Sequence, residues 1–277
     1  MAMKKYSELT FTDDFLFCKV LESNPELCRQ LIEIILQKKV RKVVFTQKQS
    51  VIDIVAPGKS IRLDVYCEDE NNTIYDLEMQ TTSQKELPKR TRYYQGMIDL
   101  NSIEKGTKYK TLKQSYIVIL CTFDPFGKNA PVYTFTNQCR EVQGLELGDE
   151  TAKVFLNPDG VYENLSEDLR ALLLYLKGRV DSENDFIQEL DRQVRKALLS
   201  EEWRTEYMAF STKMDDLLDE AREQAIQQGI QQGIQQGQLS TLISFFTRGK
   251  ITLAEAAAEA NLTIEEFQTK MQEFTKQ

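Results

Sequence analysis

The spacing of apolar positions changes along the chain, and each change marks a structural boundary. Between 11 and 37, Phe15, Leu16 and Val20, then Leu27, Leu31, Ile34 and Ile35, recur at helical spacing. This predicts one or two helices. Thr12, Asp13 and Asp14 stand where an N-cap belongs, and Pro25 suits the first turn of a second helix. From about 40 to 81 the pattern turns to alternation. Residues 40–45, 50–55, 61–67 and 73–80 read as strands, divided by Pro57-Gly58 and by Asp69-Glu70-Asn71-Asn72. A helix is expected from Pro88 to about Lys105, with Tyr94, Met97 and Ile98 inward and Gly106 ending it. The stretch YIVILCT (116–122) is nearly all apolar, as in a strand covered on both faces. More strands are expected near 131–138 and 152–156, and a helix near 166–178. This order gives an α/β fold with a mixed sheet flanked by helices.

Beyond about 180 the chain reads as helix throughout. Trp203, Tyr207, Phe210, Met214, Leu217 and Ala221 are spaced 4, 3, 4, 3, 4, a coiled-coil-like seam. The seam runs into IQQGIQQGIQQG (226–237), which aligns Gly229, Gly233 and Gly237 on one helix face. Each glycine costs a helix about 1 kcal/mol relative to alanine. Either that face pairs closely with another backbone, or the segment is a frayed linker. Residues 239–277 read as a helical hairpin turning at Asn261-Leu262-Thr263. The expected organisation is an α/β domain over 1–178, a helical connector over 179–238 and a small α-helical tail over 239–277. Seam and glycine face together suggest a homodimer through the C-terminal helices. Residues 251–271 also have the outline of a helix-turn-helix. Five glutamates against four basic residues in 239–277 make a poor footprint for DNA, so packing or self-association is the better reading.

Composition narrows the chemistry. The chain has 277 residues and no histidine, which removes Ser-His-Asp triads, HExxH zinc sites and histidine general bases together. Five scattered cysteines without a CxxC argue against a disulfide framework and against structural zinc. No run of 18 apolar residues exists and the N-terminal stretch has no signal-peptide pattern, so a cytoplasmic protein without a membrane span is expected. The net charge is −8, yet basic residues concentrate locally. Lys38, Lys39, Arg41, Lys42 and Lys48 form an acid-free stretch, and residues 85–113 hold eight basic residues against three acidic ones. Such runs suit either a solvated surface or a nucleic-acid partner.

Between these basic stretches lies IRLDVYCEDENNTIYDLEMQ (61–80). Strand alternation puts Ile61, Leu63, Val65 and Cys67 on one face and Arg62, Asp64 and Tyr66 on the other. On the return strand Tyr75, Leu77 and Met79 oppose Ile74, Asp76, Glu78 and Gln80. A two-residue loop at 71–72 would mix the faces, whereas a three-residue loop at 70–72 sets Asp64 opposite Glu78 and one at 71–73 sets it opposite Gln80, both on the correct face. An odd loop or a bulge is therefore expected. Two carboxylates this close repel unless a cation neutralises them. Oxygen ligands suit Mg²⁺ or Mn²⁺, which can activate a bound water and stabilise charge on a phosphate. The plainer alternative is that exposed strand acids keep a sheet edge soluble.

The order D-x13-E-x-Q on a hairpin, then a basic helix and a buried strand, resembles the PD-(D/E)XK nuclease superfamily. More closely, the chain resembles the Rpn family of recombination-promoting nucleases and transposase-like proteins. The resemblance rests on FTDDFLFCKVL (11–21), SIRLDVYCEDENNTIYDLEMQ (60–80), LPKRTRYYQGMIDL (87–100), YKTLKQSYIVILCTFDPF (109–126) and the glutamine-glycine repeat. It implies an Mg²⁺-dependent DNA endonuclease with Asp64 and Glu78 as metal ligands, the Met79 carbonyl as a third, and no organic cofactor. Gln80 stands where the superfamily usually has lysine: an amide can orient a water but brings no charge. Lys89, Arg90 and Arg92 are candidates to supply that charge to a phosphate or to bind DNA, with Tyr94 beside them. Asp14 matches an acidic residue of the family's first helix, as a metal-assisting group or as an N-cap. The alternative is a catalytically weak or inactive DNA-binding, oligomerising protein on the same fold.

Overall fold

The computed structural model describes residues 4–45, 51–52 and 61–275. Most of the strand expected at 50–55 and the turn at Pro57-Gly58 lie outside the described residues. The first unit, Met1–Tyr207, is built on a mixed six-stranded sheet. Its strands are β1 (Val43–Phe45), β4 (Val65–Asp69), β5 (Ile74–Gln80), β6 (Ser115–Cys121), β7 (Val132–Phe135) and β8 (Thr151–Leu156), in the order β1-β4-β5-β6-β8-β7. The β5–β6 and β6–β8 pairs are parallel and the rest antiparallel. Two short strands, β2 (Val51–Ile52) and β3 (Ile61–Arg62), form a separate pair. The fold is the α/β arrangement read from the sequence.

Helices cover both faces of the sheet. On one side Val65, Cys67, Tyr75, Leu77, Met79, Val118 and Leu120 pack with α1 (Asp14–Glu22), α2 (Pro25–Leu36), α4 (Glu167–Leu176) and α5 (Asp185–Leu198). On the other, Tyr66, Ile74, Ile117, Ile119, Cys121 and Phe155 pack with Leu87, Met97 and Ile98 of α3 (Leu87–Ser102). Parallel strands need a crossover, and α3 supplies it between β5 and β6. All seven residues of β5 are therefore buried, including its polar ones. This corrects the picture of solvated strand acids: α3 lies over them. The helix itself ends at Ser102, short of Lys105, with Ile103 already extended.

One alternation fails. Leu63 joins Tyr66 in the α3-side cluster and not Val65, because the chain bends at Asp64 and the expected single strand over 61–67 breaks into β3 and β4.

The compact first unit runs past residue 178. Asn184 caps α5 by accepting from the Ile187 N–H, and Phe186, Ile187, Leu190, Val194 and Ala197 are buried in the main core. Tyr207, at the start of α6 (Glu201–Thr247), also belongs to this core, its ring against Tyr6 and Phe15 and its hydroxyl donating to the Lys4 carbonyl. The first seam positions are thus spent within the chain, whereas Leu217 is half exposed.

The second unit, Met208–Gln277, contains the rest of α6, α7 (Leu253–Glu259) and α8 (Ile264–Thr275). The IQQG repeat is regular helix, and a Cβ added at Gly229, Gly233 or Gly237 would meet nothing within 4 Å. Ala256, Ala257 and Phe267 form a small core with Leu239, Leu242, Ile243 and Phe246 of α6. The expected turn near Asn261 is present, and Thr252 with Glu255 forms a capping box at α7. Among the described residues no helix is long and apolar enough to cross a membrane.

Candidate active site

The β4–β5 hairpin sets the geometry. The Asp69 N–H donates to the Thr73 carbonyl and the Asn72 N–H to the Asp69 carbonyl, closing a three-residue loop at 70–72 with Asn72 at φ 60°. The Asp69 carboxylate accepts from the Asn71 and Thr73 N–H groups and from the Tyr75 hydroxyl, which fixes the loop from inside. The ladder pairs Val65 with Leu77 and Tyr66 with Asp76. Carried one step further, this register faces Asp64 with Glu78, as the odd loop requires.

Two hydrogen bonds lock that pair. The Asp64 N–H donates to Glu78 Oε1 at 3.1 Å, and the Met79 N–H donates to Asp64 Oδ2 at 3.0 Å. N–H and C=O of an extended residue point to the same neighbouring strand, so the Met79 carbonyl turns toward Asp64 as well. Next on this face is Asp76, fully buried at 0% exposure, with no hydrogen-bond partner for either carboxylate oxygen. Glu78 and Gln80 are 4% and 5% exposed.

Gln80 does not stand free to hold a water. Its Oε1 accepts from Arg90 Nη2 at 2.5 Å, and its Nε2 donates to the Thr82 carbonyl at 2.5 Å. Arg90 Nη2 also lies 4.0 Å from Glu78 Oε2, Nη1 donates to Gln84 Oε1, and the guanidinium sits over the Tyr94 ring at 5.7 Å. Helical spacing explains the choice of arginine. Leu87, Thr91, Gln95 and Ile98 bury one face of α3, and Arg90 and Tyr94 border it. Lys89 and Arg92 point away and are exposed.

Asp14 lies on another element. It is exposed at the start of α1, a helix that packs on the opposite face of the sheet, and Asp13 takes the N-cap position.

A model of the PD-(D/E)XK nuclease family transposases matches residues 11–226, more than half of the chain. The chain belongs to that family. No curated protein and no solved structure matches it. The family match agrees with the Rpn resemblance carried by the hairpin and the RYYQ helix.

In this family member the acidic face is under electrostatic stress. Burial pushes the Asp76 carboxyl well above the usual carboxylate range, and the Asp64 charge pushes it further, against the opposing pull of Glu78 and Arg90. Burial raises Glu78 too, followed by the charges of Asp76 and Asp64, with the Asp64 N–H and Arg90 opposing. The Tyr94 hydroxyl is pushed up to about 12, first by burial and then by Glu78. It therefore stays protonated, a donor, at neutral pH.

These shifts set a stability trend. Carboxyls that bind protons more tightly folded than unfolded stabilise the fold below their unfolded pKa, and that stability is lost as pH rises through the folded values. Glu26, Glu33, Asp124, Asp149 and Glu189, all lowered, are ionised in both states above about pH 5 and add no slope there. Metal-free protein should thus lose thermal stability as pH rises from about 5 to 8. Scanning calorimetry in a chelator checks this, and a flat or rising Tm would contradict the buried acid cluster.

Such a cluster fits a hard cation by the chemistry of its donors and by the orphaned Asp76 oxygens. Among the described residues, however, no group of three or more histidine, cysteine, aspartate or glutamate side chains is already arranged to hold an ion. Two carboxylates and a main-chain carbonyl are the donor set that the hairpin offers. Asp76 lies outside the D-x13-E-x-Q pattern, and its only mark in the sequence is its place on the same strand face as Glu78 and Gln80.

Proposed function

We propose that this chain is a divalent-cation-dependent DNA endonuclease, with DNA as the substrate that a nuclease-family transposase implies. The observation that carries the reading is the Asp64–Glu78 pair, held by two main-chain hydrogen bonds under a covering helix that brings in one arginine.

Asp64, Glu78 and the Met79 carbonyl would hold Mg²⁺ or Mn²⁺. Such an ion, when bound, lowers the pKa of its water and stabilises charge on a phosphodiester. The residues of the chain do the rest. Gln80 holds the Arg90 guanidinium beside Glu78, so the positive charge that a motif lysine would bring arrives from α3. Arg90 then stabilises a scissile phosphate, and the protonated Tyr94 hydroxyl donates a hydrogen bond on the same side. Lys89 and Arg92, exposed on α3, bind the DNA backbone. A homodimer through the C-terminal helices, with the half-exposed Ile226, Ile230 and Ile234 at its contact, would present one site to each strand. A cytoplasmic location and the absence of an organic cofactor belong to the same reading.

One observation favours a second reading. The engaged Gln80 amide leaves no side chain in the lysine position to orient a water, as in a DNA-binding protein that has lost cleavage.

Incubation of supercoiled plasmid with the protein separates the two. The endonuclease reading expects nicking with Mg²⁺, none with chelator, and none by Asp64→Asn. Retained plasmid binding without nicking by the parent protein would favour the second reading.

A further inference from the structure

Neither oxygen of the fully buried Asp76 carboxyl has a hydrogen-bond partner. Tyr66 faces it across the antiparallel ladder and Ile117 lies beside it in the parallel one. Glu78, two residues along the same face, is another acid. The nearby cation, Arg90, is engaged by Gln80, Gln84 and the edge of Glu78. A buried carboxylate with two unsatisfied oxygens is strongly unfavourable in an otherwise well-packed sheet. Asparagine or serine would fit the strand without that cost.

Charge balance gives Asp76 a use. With all three acids ionised around a bound cation, Asp64, Asp76 and Glu78 against Arg90 leave an excess of two negative charges, the charge of one divalent ion. Without Asp76 the excess is one, which a monovalent ion or a proton would cancel. The present hydrogen bonds also separate the three acids. Asp64 spends an oxygen on the Met79 N–H and Glu78 one on the Asp64 N–H. Asp76 spends neither, so its carboxylate can turn toward an incoming ion without breaking a hydrogen bond.

We propose that Asp76 is a third anionic donor of the cation site, and that it makes the site demand a divalent ion. The proposal rests on the cation-dependent reading above. It assigns a role to a residue that lies outside the D-x13-E-x-Q pattern.

Calorimetric titration of Mn²⁺ into the metal-stripped full chain, without DNA, tests it. The parent should bind Mn²⁺, and Asp76→Asn should bind it at least about tenfold more weakly. In chelator Asp76→Asn should melt above the parent, and the rise in Tm on adding Mn²⁺ should shrink. Asp76→Ser is measured alongside, so that misfolding of one variant leaves the comparison intact. Unchanged Mn²⁺ affinity in a folded Asp76 variant, with binding lost in Glu78→Gln, would overturn the proposal and leave the cation-dependent reading standing. Absence of Mn²⁺ binding by the parent would overturn both.

Discussion

Glu78→Gln should lower plasmid cleavage by about a thousandfold and at the same time raise the melting temperature of the metal-free protein. The two effects have one origin. Glu78 is buried beside two other acids, so its charge is unfavourable in the empty site and useful only once a cation is present. Glutamine retains an oxygen to accept the Asp64 N–H, so the hairpin keeps its shape while the charge is removed. Gel-based cleavage and scanning calorimetry on the same preparation read both quantities. Undiminished cleavage would place the chemistry elsewhere, and a fall in Tm in chelator would show that the Glu78 charge is already compensated.

Arg90→Ala should lower cleavage by about a hundredfold, well beyond the effect of Lys89→Ala or Arg92→Ala. Arg90 reaches Gln80 and the edge of Glu78, whereas the other two extend into solvent. Loss of an exposed cation should instead weaken DNA binding at low salt and flatten its salt dependence. Steady-state cleavage across a salt series distinguishes the cases. An equal, salt-dependent loss in all three variants would reduce Arg90 to one more backbone contact. Arg90→Lys is expected to recover little, since a single ammonium cannot span the Gln80 and Gln84 acceptors together.

Much of this architecture was legible in the chain. Pro25 and the helical spacing before it gave α1 and α2, YIVILCT gave the buried β6, and hairpin parity gave the odd loop and the facing of Asp64 with Glu78. Each of these depends on local pattern or turn chemistry. What escaped depends on which element lies over which. Solvated strand acids stayed open as an alternative because, although Met97 and Ile98 read as the inward face of α3, nothing local says that this face will lie over the acids. Gln80 was read as facing a water because its partner, Arg90, is ten residues away on that helix. Leu63 was given the wrong face because a bend at Asp64 leaves no mark on alternation. Tyr207 was counted in an open seam, yet the N-terminal segment had already claimed it.

That bend has a consequence for how such chains change over time. Where β4 leaves the sheet, the Met79 N–H is met by a side chain, the Asp64 carboxylate. On the proposed function, one oxygen atom therefore answers to selection for folding as well as for cleavage. The Glu78 oxygen that accepts the Asp64 N–H is bound in the same way. Descendants that drift out of enzymatic use should then shed the two charges while keeping the two acceptors, as asparagine at 64 and glutamine at 78. Such amides, read across a lineage, would record which atoms the fold could not spare.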